Sequence, residues 1–145
     1  MSTTTVVASP VSGAQNIAAL VGRLLIASLF LPAGITKAMG FAGTVAYITS
    51  AGMPVPEVSA VAAILVEVGG SLALILGWQT RWAALVMGLF TLGASFFFHN
   101  FWAADQAHYM SQYLNFFKNL AITGGLLNIF AWGAGAFSID ARRHA

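Results

Sequence analysis

Four long apolar segments dominate this chain, each near the ~20 residues that a helix needs to cross bilayer hydrocarbon. The pattern predicts spans over roughly Ala14–Ile35, Val58–Gly77, Trp82–Phe101 and Tyr113–Phe137. A segment in lipid must satisfy its own backbone hydrogen bonds, so it is a helix or part of a closed barrel. The polar–apolar alternation of a barrel strand is absent. The expected fold is therefore an all-α membrane protein, a four-transmembrane-helix bundle. Composition agrees: of 145 residues 59% are hydrophobic and 7% charged, whereas a water-facing surface needs about a quarter.

The domain reading is simple. Residues 1–13 make a flexible N-terminal tail, 14–137 the transmembrane domain and 138–145 a C-terminal tail. No polar stretch is long enough for a second domain. Residues 1–16 hold no Lys or Arg, and Arg23 interrupts the first apolar run. That is unlike a secretory signal, and the first segment reads as a retained span.

The connections set the topology. Lys37 to Glu57 is rich in Gly and Pro, with a short interfacial helix expected around Phe41–Thr49. Trp78-Gln79-Thr80-Arg81 is a tight turn, which makes its flanking spans antiparallel neighbours. Four spans put Arg81, Arg142 and Arg143 on one side and Lys37 on the other. The excess of positive charge marks the inner side, so both termini are expected in the cytoplasm. Trp78, Trp82 and Trp132 then mark the inner interface; Trp102, Tyr109 and Tyr113 mark the outer one.

Several functions drop out. The net charge of +2 comes from ten charged side chains, with no basic run beyond Arg142-Arg143, so no nucleic-acid partner is expected. The absence of cysteine removes thiol–disulfide chemistry, c-type haem attachment and cysteine-ligated iron–sulfur clusters. No HxxxH or ExxH spacing occurs, and no metal site is predicted.

What remains is a handful of polar groups at membrane depth, each costing several kcal/mol unless paired or hydrated. Arg23 and Glu67 fall at similar depths in the first two spans, and a structural ion pair between them is expected. Lys37 lies two heptads after Arg23, on one side of the helix with Gly34, and Pro32 should kink the helix between them. His99 closes a stripe with Gly88, Thr91 and Ser95, and suits proton exchange near neutral pH. Lys118 sits between Asn115 and Asn119, an i,i+4 pair, on a stripe with Ala121, Gly125 and Asn128. The ordinary reading makes Lys37 and Lys118 interfacial anchors, His99 a hydrogen-bonded interfacial residue and Arg23–Glu67 a clamp between helices. The functional reading gathers Arg23, Lys37, Glu67, His99, Lys118 and Asn119 around one polar pocket opening towards the outer leaflet.

Arg23-Leu24-Leu25, Phe30-Leu31-Pro32-Ala33-Gly34-Ile35-Thr36-Lys37, Glu67-Val68-Gly69-Gly70, Thr80-Arg81, Phe98-His99-Asn100-Phe101-Trp102, Phe117-Lys118-Asn119-Leu120-Ala121 and Ser138-Ile139-Asp140 occur in that order. In these blocks, across roughly residues 20–140, the chain resembles the DoxX family of small bacterial inner-membrane proteins. The resemblance implies a multi-pass protein of the bacterial inner (plasma) membrane. Some of that family look like quinone-linked membrane subunits, as in thiosulfate:quinone oxidoreductase. Others are tied to oxidative-stress complexes. It implies a quinone-interacting subunit of a membrane oxidoreductase system. Arg23, His99 and Lys118 would then hydrogen-bond the quinone carbonyls, with walls from Phe30, Phe97, Phe98 and Phe117. Glu67 would pair with Arg23 or exchange a proton. The implied partners are the lipid bilayer, a quinone, a redox partner protein and further copies of the chain. The alternative is a non-catalytic membrane scaffold or assembly factor, in which Arg23, Glu67 and Lys118 only hold the bundle together.

Overall fold

The computed structural model describes residues 12–143. The tail expected at residues 1–13 thus lies almost wholly outside the described residues. Among these, all regular structure is helical.

Helix α1, Gly13–Met39, starts at a capping box: the Ser12 hydroxyl accepts the Gln15 N–H, and the Gln15 amide oxygen accepts the Ser12 N–H at 2.7 Å. The box satisfies two N–H groups that the first turn would otherwise leave open. The helix runs through Pro32 and four residues past the predicted end at Ile35. Membrane helices tolerate such a proline because neighbours compensate the lost backbone bond. Helix α2, Phe41–Ser50, is the expected short helix.

Helix α3 covers Pro56–Leu76. Pro56 occupies its first turn, where a missing N–H costs nothing. Its middle, Leu65–Gly69, is a π-helical turn with Glu67 at the centre. It ends at Gly77, whose φ of 65° only glycine adopts freely. The Gly77 N–H then reaches the Leu74 carbonyl and the Trp78 N–H the Ala73 carbonyl, at 3.3 and 2.9 Å. This paired closure ends the helix and turns the chain.

Helix α4, Thr80–Phe98, and helix α5, Tyr109–Trp132, pack along each other. Helix α6, Ile139–Arg143, lies within the stretch expected to be a tail. It is docked: the Asp140 N–H donates to the Gly77 carbonyl at 2.9 Å.

Small residues let the helices approach. A Cβ on Gly34 would stand 2.8 Å from Val68 Cγ2 and 3.2 Å from the Val68 backbone nitrogen, so α1 and α3 touch there. A Cβ on Gly70 would stand 2.6 Å from Met87 Sδ, which fixes the α3–α4 approach. The core between these crossings holds Ala27, Phe30, Leu74, Ala84, Met87 and Leu126. Leu25, Leu65, Leu72 and Leu89 face outward, as a lipid-exposed surface requires.

Among the described residues three helices are long and apolar enough to cross a membrane: Gly13–Met39, Pro56–Leu76 and Thr80–Ala103. Helix α5 has the length, at 24 residues. Gln112, Asn115, Lys118, Asn119 and Asn128 reduce its apolar character.

Candidate functional site

The contact at Gly34 sets the register of the polar interior. Helices α1 and α3 run antiparallel, and Gly34 opposes Glu67 and Val68. Eleven residues back along α1, about 16 Å at 1.5 Å per residue, Arg23 opposes Leu74 and Gly77. Arg23 and Glu67 are therefore at different depths, and the expected ion pair between them does not form. The depth match fails because the two helix ends are not level: the start of α1, at Asn16, lies beside Gly135 and Ala136, while Arg23 is already beside the end of α3 at Leu74 and Gly77.

Glu67 takes Lys37 instead. Lys37 Nζ donates to both carboxylate oxygens, at 2.9 and 2.8 Å. Lys37 is in the last turn of α1, where side chains lean back towards the helix N-terminus. That lean carries the ammonium inward rather than out to the rim, one turn past the Gly34 crossing. The Glu67 side chain is 6% exposed and that of Lys37 34%. An ammonium has three N–H donors, and two are used by Glu67. One donor remains beyond those two. A π-helical turn in a membrane helix often accompanies a functional group, because it widens the backbone locally. Here it carries Glu67.

Arg23, 0% exposed, ties three segments together. Nη1 donates to the Leu74 carbonyl and Nη2 to the Phe137 carbonyl, each at 2.6 Å. The first belongs to the last turn of α3, where carbonyls point out along a negative dipole end. Gly77 makes room: a Cβ there would stand 2.6 Å from Nη1. Next to it Asp140 accepts the Gln79 and Thr80 N–H groups, at 2.8 and 2.9 Å, and so caps the start of α4. Asn16 Oδ1 accepts the Ala136 N–H at 2.8 Å. The start of α1, the α3–α4 turn and the segment after α5 form one knot at the arginine-bearing end.

The other predicted residues do not join the pair. His99 Nδ1 lies 2.9 Å from Gln112 Oε1, linking the end of α4 to the start of α5. Lys118 is exposed, and its ammonium donates to Asn115 Oδ1 at 2.8 Å, on its own helix. Asn119 is half-buried, and its carbonyl accepts the Thr123 hydroxyl at 2.9 Å. Thr91 and Ser95 direct their hydroxyls to Met87 and Thr91 carbonyls of α4. Of the aromatic walls, Phe30 is in the core, Phe98 stacks on Tyr47 at 5.2 Å, and Phe97 and Phe117 face outward. The six residues are thus distributed over separate interactions, and one pair, Lys37–Glu67, has the geometry of a site. Among the described residues no three His, Cys, Asp or Glu side chains converge.

Sequence reasoning missed Asp140 and Gln112, whose partners are distant in sequence. It also missed the π-helical turn, for which the apolar run around Glu67 holds no local signal. Gly34, three residues before Lys37, was the available sign of where α1 meets its neighbour.

The DoxX signature matches residues 18–100, a stretch that includes Arg23, Lys37, Glu67 and His99. The chain is 34% identical over 129 residues to the inner membrane protein YphA of Escherichia coli, covering 89% of this chain and 92% of YphA. It is 40% identical over 126 residues to the inner membrane protein YqjF of Escherichia coli, covering 87% of this chain and 92% of YqjF. No solved structure matches it. With a signature over more than half its length, and relatives aligned nearly end to end, this chain belongs to the DoxX family and is a multi-pass protein of the bacterial inner membrane.

Proposed function

We propose that the chain is a quinone-interacting subunit of a membrane oxidoreductase system, with the Lys37–Glu67 pair as its polar contact. The observation that carries this reading is the pair itself: the Glu67 carboxylate is buried, the Lys37 side chain is one-third exposed, and Glu67 takes two of the three ammonium donors. A quinone supplies a carbonyl acceptor on an apolar body, which suits one donor in apolar surroundings. Lys37 would hold that carbonyl, and Glu67 would fix the ammonium and accept or return a proton. Electrons would pass to a partner protein, since the cysteine-free chain has no thiol to carry them.

The test is quinone content of the purified protein by solvent extraction and mass spectrometry. K37M should empty it. K37M/E67M should fold, because an apolar replacement of a whole pair is tolerated, and should also be empty. Quinone retained at wild-type occupancy in the folded double variant would defeat the proposal.

The scaffold reading takes its support from Arg23, whose guanidinium is committed to two backbone carbonyls. On that reading any ligand content follows the amount of folded protein. An R23K variant with a lowered melting temperature and unchanged ligand per folded molecule is its expected outcome. The same charge distribution supports a four-span topology with α5 as the fourth span and both termini inside. Arg81, Arg142 and Arg143 are at one end, against Lys37 at the other, and the excess of Lys and Arg marks the inner side.

A further inference from the structure

We propose that the groove between the α3–α4 turn and the C-terminal segment holds the phosphodiester headgroup of an anionic phospholipid. The groove has a volume of about 640 Å³, and Arg81, Trp82, Trp132, Gly133, Asp140 and Arg143 line it.

Each wall has a local cause. The turn at Gly77 places Arg81 in the first turn of α4. Gly133, with φ of 83°, seats it: a Cβ there would stand 3.3 Å from Arg81 Nε. The guanidinium thus lies beside the C-terminal end of α5, where the helix dipole favours a cation. Arg143 comes from α6, which the Asp140 contacts hold in place. Neither arginine is in a salt bridge among the described residues. Asp140 also faces the groove, but its carboxylate oxygens are turned to the Gln79 and Thr80 N–H groups. Among the described lining residues two cations stand against one anion. A guanidinium fork matches two phosphate oxygens at once.

Two observations favour a lipid over free phosphate. Trp82 and Trp132 are 64% and 83% exposed beside the groove, and exposed indoles mark headgroup depth. An apolar groove of about 330 Å³ also runs between α3 and α4, past Ala73, Val86 and Met87, and Trp82 lines both grooves. A polar cleft continued by an apolar channel fits a molecule with a charged head and an acyl chain. Basic pockets between membrane helices on the inner side take anionic headgroups in this way.

The test uses the full chain with W78F and W102F, which leaves Trp82 and Trp132 as reporters. It is reconstituted in phosphatidylcholine nanodiscs containing equal mole fractions of brominated phosphatidylglycerol or brominated phosphatidylcholine. The expected result is stronger quenching by the anionic lipid, with a preference on the order of tenfold. R81Q and R143Q should each reduce that preference about fivefold. R142Q, outside the groove, should leave it unchanged, and R81K, which keeps the charge but loses the fork, should reduce it less than R81Q does. R143Q decides the matter should R81Q fail to fold. Equal quenching by the two lipids, or a preference that survives R81Q/R143Q, would overturn the proposal. So would loss of the preference on adding millimolar inorganic phosphate, which would assign the groove to the free ion.

Discussion

Lys37 reaches an acid in the bundle because a side chain near a helix C-terminus leans back along its own helix. The consequence is energetic coupling. K37M leaves the Glu67 carboxylate buried without its cation and should cost about 3 kcal/mol, while K37M/E67M should cost about 1 kcal/mol. Thermal melting in detergent measures both; additive losses would refute the coupling. Arg23 is a different case, because its planar fork serves two carbonyls that a single ammonium cannot reach together. R23K should cost about 2 kcal/mol. Asp105, in the connection before α5, shows the pH dependence of a local cap. The backbone N–H of His108, and then its ring, hold the Asp105 carboxyl below the usual carboxylate range. A lowered folded value means that the cap contributes fully above the ordinary carboxylate pKa and is lost as pH falls through the folded one. Amide exchange at His108 and Tyr109 should speed up over that acid interval, and D105N should abolish the transition.

At the scale of helices, the α1–α3 crossing is the decisive contact. G34V would press a β-branched side chain into Val68 and the Glu67 Cβ, at a cost of about 1–3 kcal/mol. It should also part Lys37 from Glu67, so quinone content and melting temperature should fall together. Much of this scale was legible. The apolar run places the start of α1 within one residue, the second predicted span ends at Gly77, and Trp78-Gln79-Thr80-Arg81 reads as the turn into α4. The loop between α1 and α3 was rightly divided, with α2 ending at Ser50 rather than Thr49. Helix ends were less legible. The first predicted span ends at Ile35, with Pro32 as a kink inside it, whereas the helix continues to Met39, since neighbours support a proline in lipid. The polar pairing was not legible, because it depends on register: the start of α1 and the end of α3 are each predicted within one residue, but the two ends are not level. His99–Gln112 and Asp140 with the α4 start depend on contacts between distant parts of the chain, which no local pattern encodes.

For the whole molecule, the cysteine-free chain allows a direct test of orientation. A membrane-impermeant maleimide should label S50C and Q106C in intact spheroplasts, and R142C only after permeabilisation. The reverse pattern would invert the proposed topology. The knot at the arginine-bearing end also joins α1 to the segment after α5, since Arg23 and Phe137 are 114 residues apart. The ribosome delivers the first helix long before the Phe137 carbonyl that accepts from Nη2 exists. Until synthesis finishes, a nascent copy carries a half-satisfied cation in the bilayer, a mark by which a membrane protease could tell unfinished chains from finished ones. Stopping translation after Trp132 should therefore yield a short-lived product in pulse-chase, while the complete chain persists.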